Sequence, residues 1–110
     1  MTLSTHVLDA VTGRPARDLA LTLERGGADG WCVVGDGTTD ADGRCRDLLS
    51  GELEPATYRL TFDTGAWFAE AGVEAFYPEV SVVFRVTEPE RHHHVPLLLS
   101  PFAYSTYRGS

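Results

Sequence analysis

His92-His93-His94-Val95-Pro96-Leu97-Leu98-Leu99-Ser100-Pro101-Phe102-Ala103-Tyr104-Ser105-Thr106-Tyr107-Arg108-Gly109-Ser110 joins a cluster of imidazoles to an apolar run and an aromatic tail. Val95 to Leu99 needs a core to bury against, and the closing Tyr-Arg-Gly-Ser is too distinctive to read as a frayed end. Side chains of a strand alternate between the two faces of its sheet. A strand over His92 to Leu99 therefore places His92, His94, Pro96 and Leu98 on one face and His93, Val95, Leu97 and Leu99 on the other. His92 and His94 then project together, and the rest of the chain has to supply what they face. Ala103 to Arg108 is expected to form one more strand.

Working outward, the same period of two recurs. Val80, Val82, Phe84 and Val86 line one face of a strand that ends before Glu88-Pro89-Glu90, and Tyr58, Leu60 and Phe62 alternate with Arg59, Thr61 and Asp63 after a loop at 50–57. Between these two strands Ala66 to Ala71 reads as a helix of one or two turns, with Thr64 as N-cap and Gly72 at its end. Leu19, Leu21 and Leu23 alternate with Ala20, Thr22 and Glu24. Thr5 to Leu8 makes the first strand, closed by turn residues from Asp9 to Pro15, and Trp31 to Val34 makes a short one. Gly35 to Arg44 is read as connecting chain whose Asp42-Gly43 pair marks a tight turn. Short strands, tight turns and one helix predict an all-β fold. The expected architecture is a two-sheet antiparallel β-sandwich of seven to eight strands with one short helix, a single domain spanning residues 1–110.

Composition narrows the function. The chain has 110 residues, 43% of them hydrophobic, which suits one globular core. A net charge of −7 without any basic run argues against nucleic acid or an anionic membrane as partner. No apolar stretch approaches the ~20 residues that cross a bilayer. Met1-Thr2-Leu3 leads into Ser4-Thr5-His6 without the pattern of a secretory signal, so a cytoplasmic protein is expected. Two cysteines, Cys32 and Cys45, are too few for a disulfide framework and too far apart for a zinc or redox pair; both are expected reduced and partly buried.

Several clusters carry chemistry, each beside a plainer reading. His6, His92 and His94 resemble a zinc set with an open position for water, but no carboxylate or thiol stands near them to complete or orient it. Asp36, Asp40, Asp42 and Gly43 resemble a calcium loop that lacks its twelfth-position glutamate, and are read as turn formers. Arg44 and Arg46 are alternate residues, expected on one strand face. Each is either a solvated surface cation or a holder of an anionic or carbonyl oxygen facing the histidines. Ser100, Ser105 and Ser110 have no nucleophile elbow. Trp67, Phe68, Phe76 and Tyr77 read as core or subunit contacts.

With these residues in view, the chain resembles the transthyretin-like family, in its hydroxyisourate-hydrolase branch. Leu3-Ser4-Thr5-His6-Val7-Leu8-Asp9 with Gly13-Arg14-Pro15-Ala16, Thr39-Asp40-Ala41-Asp42-Gly43-Arg44, and His92 to Ser100 with Tyr104 to Ser110 carry the likeness. The terminal Tyr-Arg-Gly-Ser separates the hydrolases from the hormone carriers of the same fold. The resemblance implies ring-opening hydrolysis of 5-hydroxyisourate to 2-oxo-4-hydroxy-4-carboxy-5-ureidoimidazoline in urate degradation, with no metal and no cofactor. It implies a homotetramer, a dimer of dimers with sites in a central channel. It assigns catalysis to His6, Arg44, His94 and Ser110, and substrate binding to His6, Arg44, Tyr107, Arg108 and Gly109. His92 falls on a position often histidine in the family, and His93 on one where an aromatic is common.

The chemistry suits those residue types. Hydrolysing a cyclic amide requires a base for water, a donor or cation for the developing oxyanion, and a proton for the leaving nitrogen. Imidazoles, with an ordinary pKa of about 6.5, can divide the base and acid tasks. His6 is taken here as the base, Arg44 as the group that polarises the carbonyl or holds an anionic substrate, and Ser110 as an orienting hydroxyl or carboxylate. The competing readings are a non-catalytic small-molecule carrier of transthyretin architecture and a zinc-dependent hydrolase.

Overall fold

Leu3, Thr5 and Val7 are buried while Ser4, His6 and Leu8 are half-exposed, so β1 (Leu3–Asp9) turns one face to a core and keeps the other for solvent. The computed structural model that shows this describes residues 3–49 and 51–110. Met1 and Thr2, read above for targeting, and Ser50, read as opening a loop, lie outside the described residues.

β1 is the hub of one sheet. It pairs with β2 (Arg14–Pro15), with β5 (Arg44–Cys45) and with β8 (His93–Leu99), and β8 pairs in turn with β9 (Tyr104–Thr106). The second sheet runs β4 (Gly30–Thr38), β3 (Ala20–Gly27), β6 (Ala56–Phe62), β7 (Val80–Val86). Between them lies the core, in which Leu3, Val7, Leu97 and Leu99 of the first sheet meet Leu21, Leu23, Tyr58, Leu60 and Phe62 of the second. Each such side chain contributes about 1.5–3 kcal/mol by leaving water. The two-sheet sandwich with one short helix is the architecture expected from the alternating pattern.

One pairing departs from the antiparallel rule. β1 and β8 run parallel, with Leu3 opposite His93, Ser4 opposite His94 and His6 opposite Pro96. The whole stretch 10–92 separates these strands, so no tight turn constrains their direction, and turn chemistry carries no information about it.

Three local readings also shift. β4 continues through Gly35, Asp36 and Gly37 rather than ending at Val34. A Cβ on Gly35 would sit 1.6 Å from the Leu48 carbonyl oxygen, so this glycine admits a crossing backbone instead of making a turn. The helix α1 (Thr64–Glu70) begins earlier than expected, with Asp63 and not Thr64 in the N-cap position, and Thr64 is buried inside it. Gly72 follows it at φ 71°, as expected of the residue past a helix end. Cys45 is buried, but Cys32 is exposed because β4 is a sheet edge; both thiols are free. Among the aromatics, Phe68 joins the core, whereas Phe76 and Tyr77 stay exposed.

Two hydroxyls tie loops to this frame. Thr39 Oγ1 accepts from the Leu19 amide and donates to the Ala16 carbonyl, 2.9 and 2.6 Å. Tyr58, wholly buried, donates its hydroxyl to the Glu54 carbonyl and accepts from the Glu54 amide, at 2.9 and 3.0 Å. No helix among the described residues is long and apolar enough to cross a membrane.

Candidate active site

The half-exposed face of β1 and β8 is where the imidazoles gather. Parallel register sets Ser4 beside His94, and antiparallel register sets His6 directly opposite Arg44 on β5. The β5 position is set by the turn before it: Asp40 accepts from the amides of Asp42 and Arg44, at 2.9 and 3.0 Å, and the Val7 amide donates to the Gly43 carbonyl at 2.8 Å. The aspartates read as turn formers include Asp40 in that role.

Asp40 also decides which arginine is available. Its carboxylate lies 3.7 Å from the Arg46 guanidinium, and no carboxylate lies within ion-pair distance of Arg44 among the described residues. The Arg44 amide holds the Asp40 carboxyl below its ordinary pKa; desolvation, the next largest effect, opposes it, and the Asp42 amide and the charges of Arg46 and Arg44 add to the lowering.

Ser4, Arg44, Arg46, His92, His94 and Ser110 line one open cavity of about 250 Å³. The final residues enter it by way of Gly109, whose amide donates to the His94 carbonyl at 2.8 Å. A Cβ there would lie 2.4 Å from His94 Cδ2, so glycine lets the tail lie flat against the ring. The other edge of the ring is held by Ser4, whose Oγ is 2.8 Å from His94 Nδ1 and 2.9 Å from His92 Nε2. Clamped on both edges, His94 has no hydrogen-bond partner at Nε2 among the described residues.

Burial lowers the pKa of His94 below the ordinary imidazole value, and the charges of Arg44, His6 and His92 lower it further; the Ser4 backbone opposes them. His94 is therefore a neutral imidazole at pH 7. His93 turns away, buried, with its Nδ1–H donated to the Arg91 carbonyl at 2.8 Å.

Of the residues singled out in the sequence, Arg44, His94 and Ser110 share the cavity, and His6 stands beside it, opposite Arg44, close enough for its charge to act on His94. Tyr107 and Arg108 line the neighbouring groove of about 230 Å³, between β7 and β8. His6, His92 and His94 do not form a metal-holding group: among the described residues no three His, Cys, Asp or Glu side chains are so placed. Sequence reasoning missed Ser4. The signal was there, since Ser4 and His6 share a strand face, but only the pairing of β1 with β8 puts that hydroxyl between two imidazoles.

Two sheets, of five and four strands among the described residues, make a β-sandwich of the transthyretin-like class, and on its open face Arg44, His94 and Ser110 converge. The chain belongs to the HIUase/Transthyretin family, whose family model matches residues 3–109. It is 49% identical to a 5-hydroxyisourate hydrolase of Mus musculus, over 98% of this chain and 94% of the mouse protein. The structure of Klebsiella pneumoniae 5-hydroxyisourate hydrolase superposes with a TM-score of 0.88 at 39% identity, covering 100% of both chains. Sea bream transthyretin in complex with thyroxine superposes at 0.93 with 38% identity, over 99% of this chain and 95% of that one.

Proposed function

We infer that this chain is an enzyme that hydrolyses 5-hydroxyisourate, opening its ring to 2-oxo-4-hydroxy-4-carboxy-5-ureidoimidazoline in urate degradation. The likeness to hydrolases of that name supports this reading. Overall shape does not discriminate, since the thyroxine-binding neighbour superposes equally well. The observation that carries the reading is the single cavity in which Arg44, His94 and Ser110 meet.

The division of labour follows from that cavity. His94, whose neutral form its burial favours, takes the proton of the attacking water at Nε2, the task that the sequence reading gave to His6. Arg44 stabilises the oxyanion as the carbonyl becomes tetrahedral, and His6, opposite it in the ladder, supplies a proton to the leaving nitrogen. Ser110 orients the water or a ring oxygen, and Tyr107, Arg108 and Gly109 complete the wall on which substrate rests. None of these steps calls for a metal or cofactor.

The assembly we propose is a homotetramer, a dimer of dimers, in the cytoplasm. Supporting it, β7 and β9 are sheet edges with open backbone groups, and Val83, Phe102 and Tyr107 are 57%, 62% and 60% exposed. The open mouth of the site is the part that neighbouring subunits would enclose. Freshly generated 5-hydroxyisourate decays in the ultraviolet, and adding the protein is expected to accelerate that decay equally with and without a chelator. Decay at the spontaneous rate would leave the carrier, and loss of acceleration with chelator would leave the zinc enzyme.

A further inference from the structure

Ser4 faces the cavity, and nothing above gives it a part in turnover. Its one hydroxyl stands 2.9 Å from His92 Nε2 and 2.8 Å from His94 Nδ1. A hydroxyl has a single proton, so it donates to one ring and accepts from the other. The two rings are nearly parallel, 19° apart with centroids separated by 6.3 Å, but they are not equivalent. His94 is half-buried and pressed on its far edge by Gly109, whereas His92 is exposed.

We propose that Ser4 is a positioning residue that holds His94 as the Nδ1–H tautomer and passes its proton outward to His92 during turnover. This rests on the hydrolase reading and on His94 as proton acceptor. With Nδ1–H donated to Ser4 Oγ, the lone pair of His94 lies at Nε2, the atom without a hydrogen-bond partner among the described residues. The Ser4 hydroxyl is then directed at His92 Nε2.

The direction of transfer follows from the charges around His94. It faces Arg44 from β5, His6 from β1, His92 from the residue just before its own strand, and Arg46 and Ser110 across the cavity. A cation held at His94 is desolvated and repelled by Arg44, while one held at His92 is hydrated. When His94 Nε2 forms its N–H bond, the water O–H breaks and the water oxygen bonds to the carbonyl carbon. The His94 Nδ1 proton then moves to Ser4 Oγ as the original Ser4 proton moves to His92 Nε2. His94 is left neutral as Nε2–H, Ser4 is again a hydroxyl, and His92 is an imidazolium. The reverse shift restores Nδ1–H as the Nε2 proton leaves.

The experiment combines turnover with nitrogen NMR of the imidazoles. In the unmodified protein the His94 proton is expected on Nδ1. Ser4→Ala is expected to lower kcat about 10- to 100-fold, the range for partners that orient a reacting ligand, with KM within about twofold. Ser4→Thr, which keeps the hydroxyl, is expected to restore most of that loss, and Ser4→Ala to remove the preference of the His94 proton for Nδ1. His92→Gln, at an exposed position, is expected to reproduce the kcat loss with the circular-dichroism spectrum unchanged. A resting proton on His94 Nε2, an unchanged kcat in Ser4→Ala or His92→Gln, or no rescue by threonine would overturn the inference. Failure of the unmodified protein to accelerate 5-hydroxyisourate decay strikes the hydrolase reading instead, and the NMR tautomer still decides how Ser4 holds the ring.

Discussion

Arg44 and Arg46 line the same cavity two residues apart, Arg44 in β5 and Arg46 just past it, but only Arg46 has a carboxylate within ion-pair distance among the described residues. Asp40 occupies Arg46 and caps the turn that aims Arg44, so Arg44→Ala is expected to cost about 10²–10³ in kcat, the usual loss for one oxyanion donor, and Arg46→Ala much less. His94→Asn is expected to remove about 10²–10⁴, the contribution of a positioned acid–base group, with the circular-dichroism spectrum unchanged. Near-normal turnover by Arg44→Ala together with a dead Arg46→Ala would reverse the assignment of the two. The pH dependence has a definite sign. His94 acts while neutral and its pKa is lowered, so the acid limb of the kcat/KM profile is expected below the ordinary imidazole value of about 6.5. Stability moves the same way: below that value the unfolded chain binds a proton at this position before the folded one does, and the folded state loses ground as pH falls. Removing the nearby cation in Arg44→Ala should raise the His94 midpoint, read by NMR without reference to activity.

At the level of elements, the chain end matters more for chemistry than for the frame. Gly109 forms an isolated bridge to His94 outside any strand, while Tyr107 and Arg108 lie exposed over the groove. Deleting residues 107–110 is therefore expected to abolish most turnover and leave the thermal midpoint within a few degrees of the full chain by calorimetry. The opposite balance holds at β4. Gly35→Ala drives a methyl group into the Leu48 carbonyl, and a loss of about 2–3 kcal/mol is expected in urea unfolding, typical of a forced overpacking. Thr39→Val leaves the Leu19 amide and the Ala16 carbonyl without their buried partner, at a cost of about 1–3 kcal/mol by the same measurement.

For the whole molecule, the consequence of an open cavity is that activity and assembly should be one property. If neighbouring chains close the mouth of the site, specific activity is expected to fall on dilution in step with dissociation of the four-chain species, followed by sedimentation velocity. Full activity in a monomer would show that the cavity of about 250 Å³ suffices alone, and would sink the tetrameric reading. The sandwich itself explains why overall shape leaves carrier and enzyme undivided: the hydrolase neighbour and the thyroxine-bound neighbour both superpose on the same two sheets.

Although Pro96, expected outward, is buried, alternation from Leu19 to Leu23 and Tyr58 to Phe62 already determined those strands, their buried faces and the two-layer packing, because period-two burial is a local property that neighbouring residues enforce on each other. It also determined that His94 points outward and His93 inward. The parallel partnership of β1 with β8 was not legible, since it joins strands from opposite ends of the chain and no turn residue encodes it. Nor was the strand role of Gly35, which depends on a backbone that crosses it from another segment. Ser4 between two imidazoles, Arg44 free while Arg46 is held, and Gly109 flat against a ring are all consequences of long-range register. Local sequence sets which face a side chain takes; only the folded chain decides what stands opposite, and the chemistry of this site lies in what stands opposite.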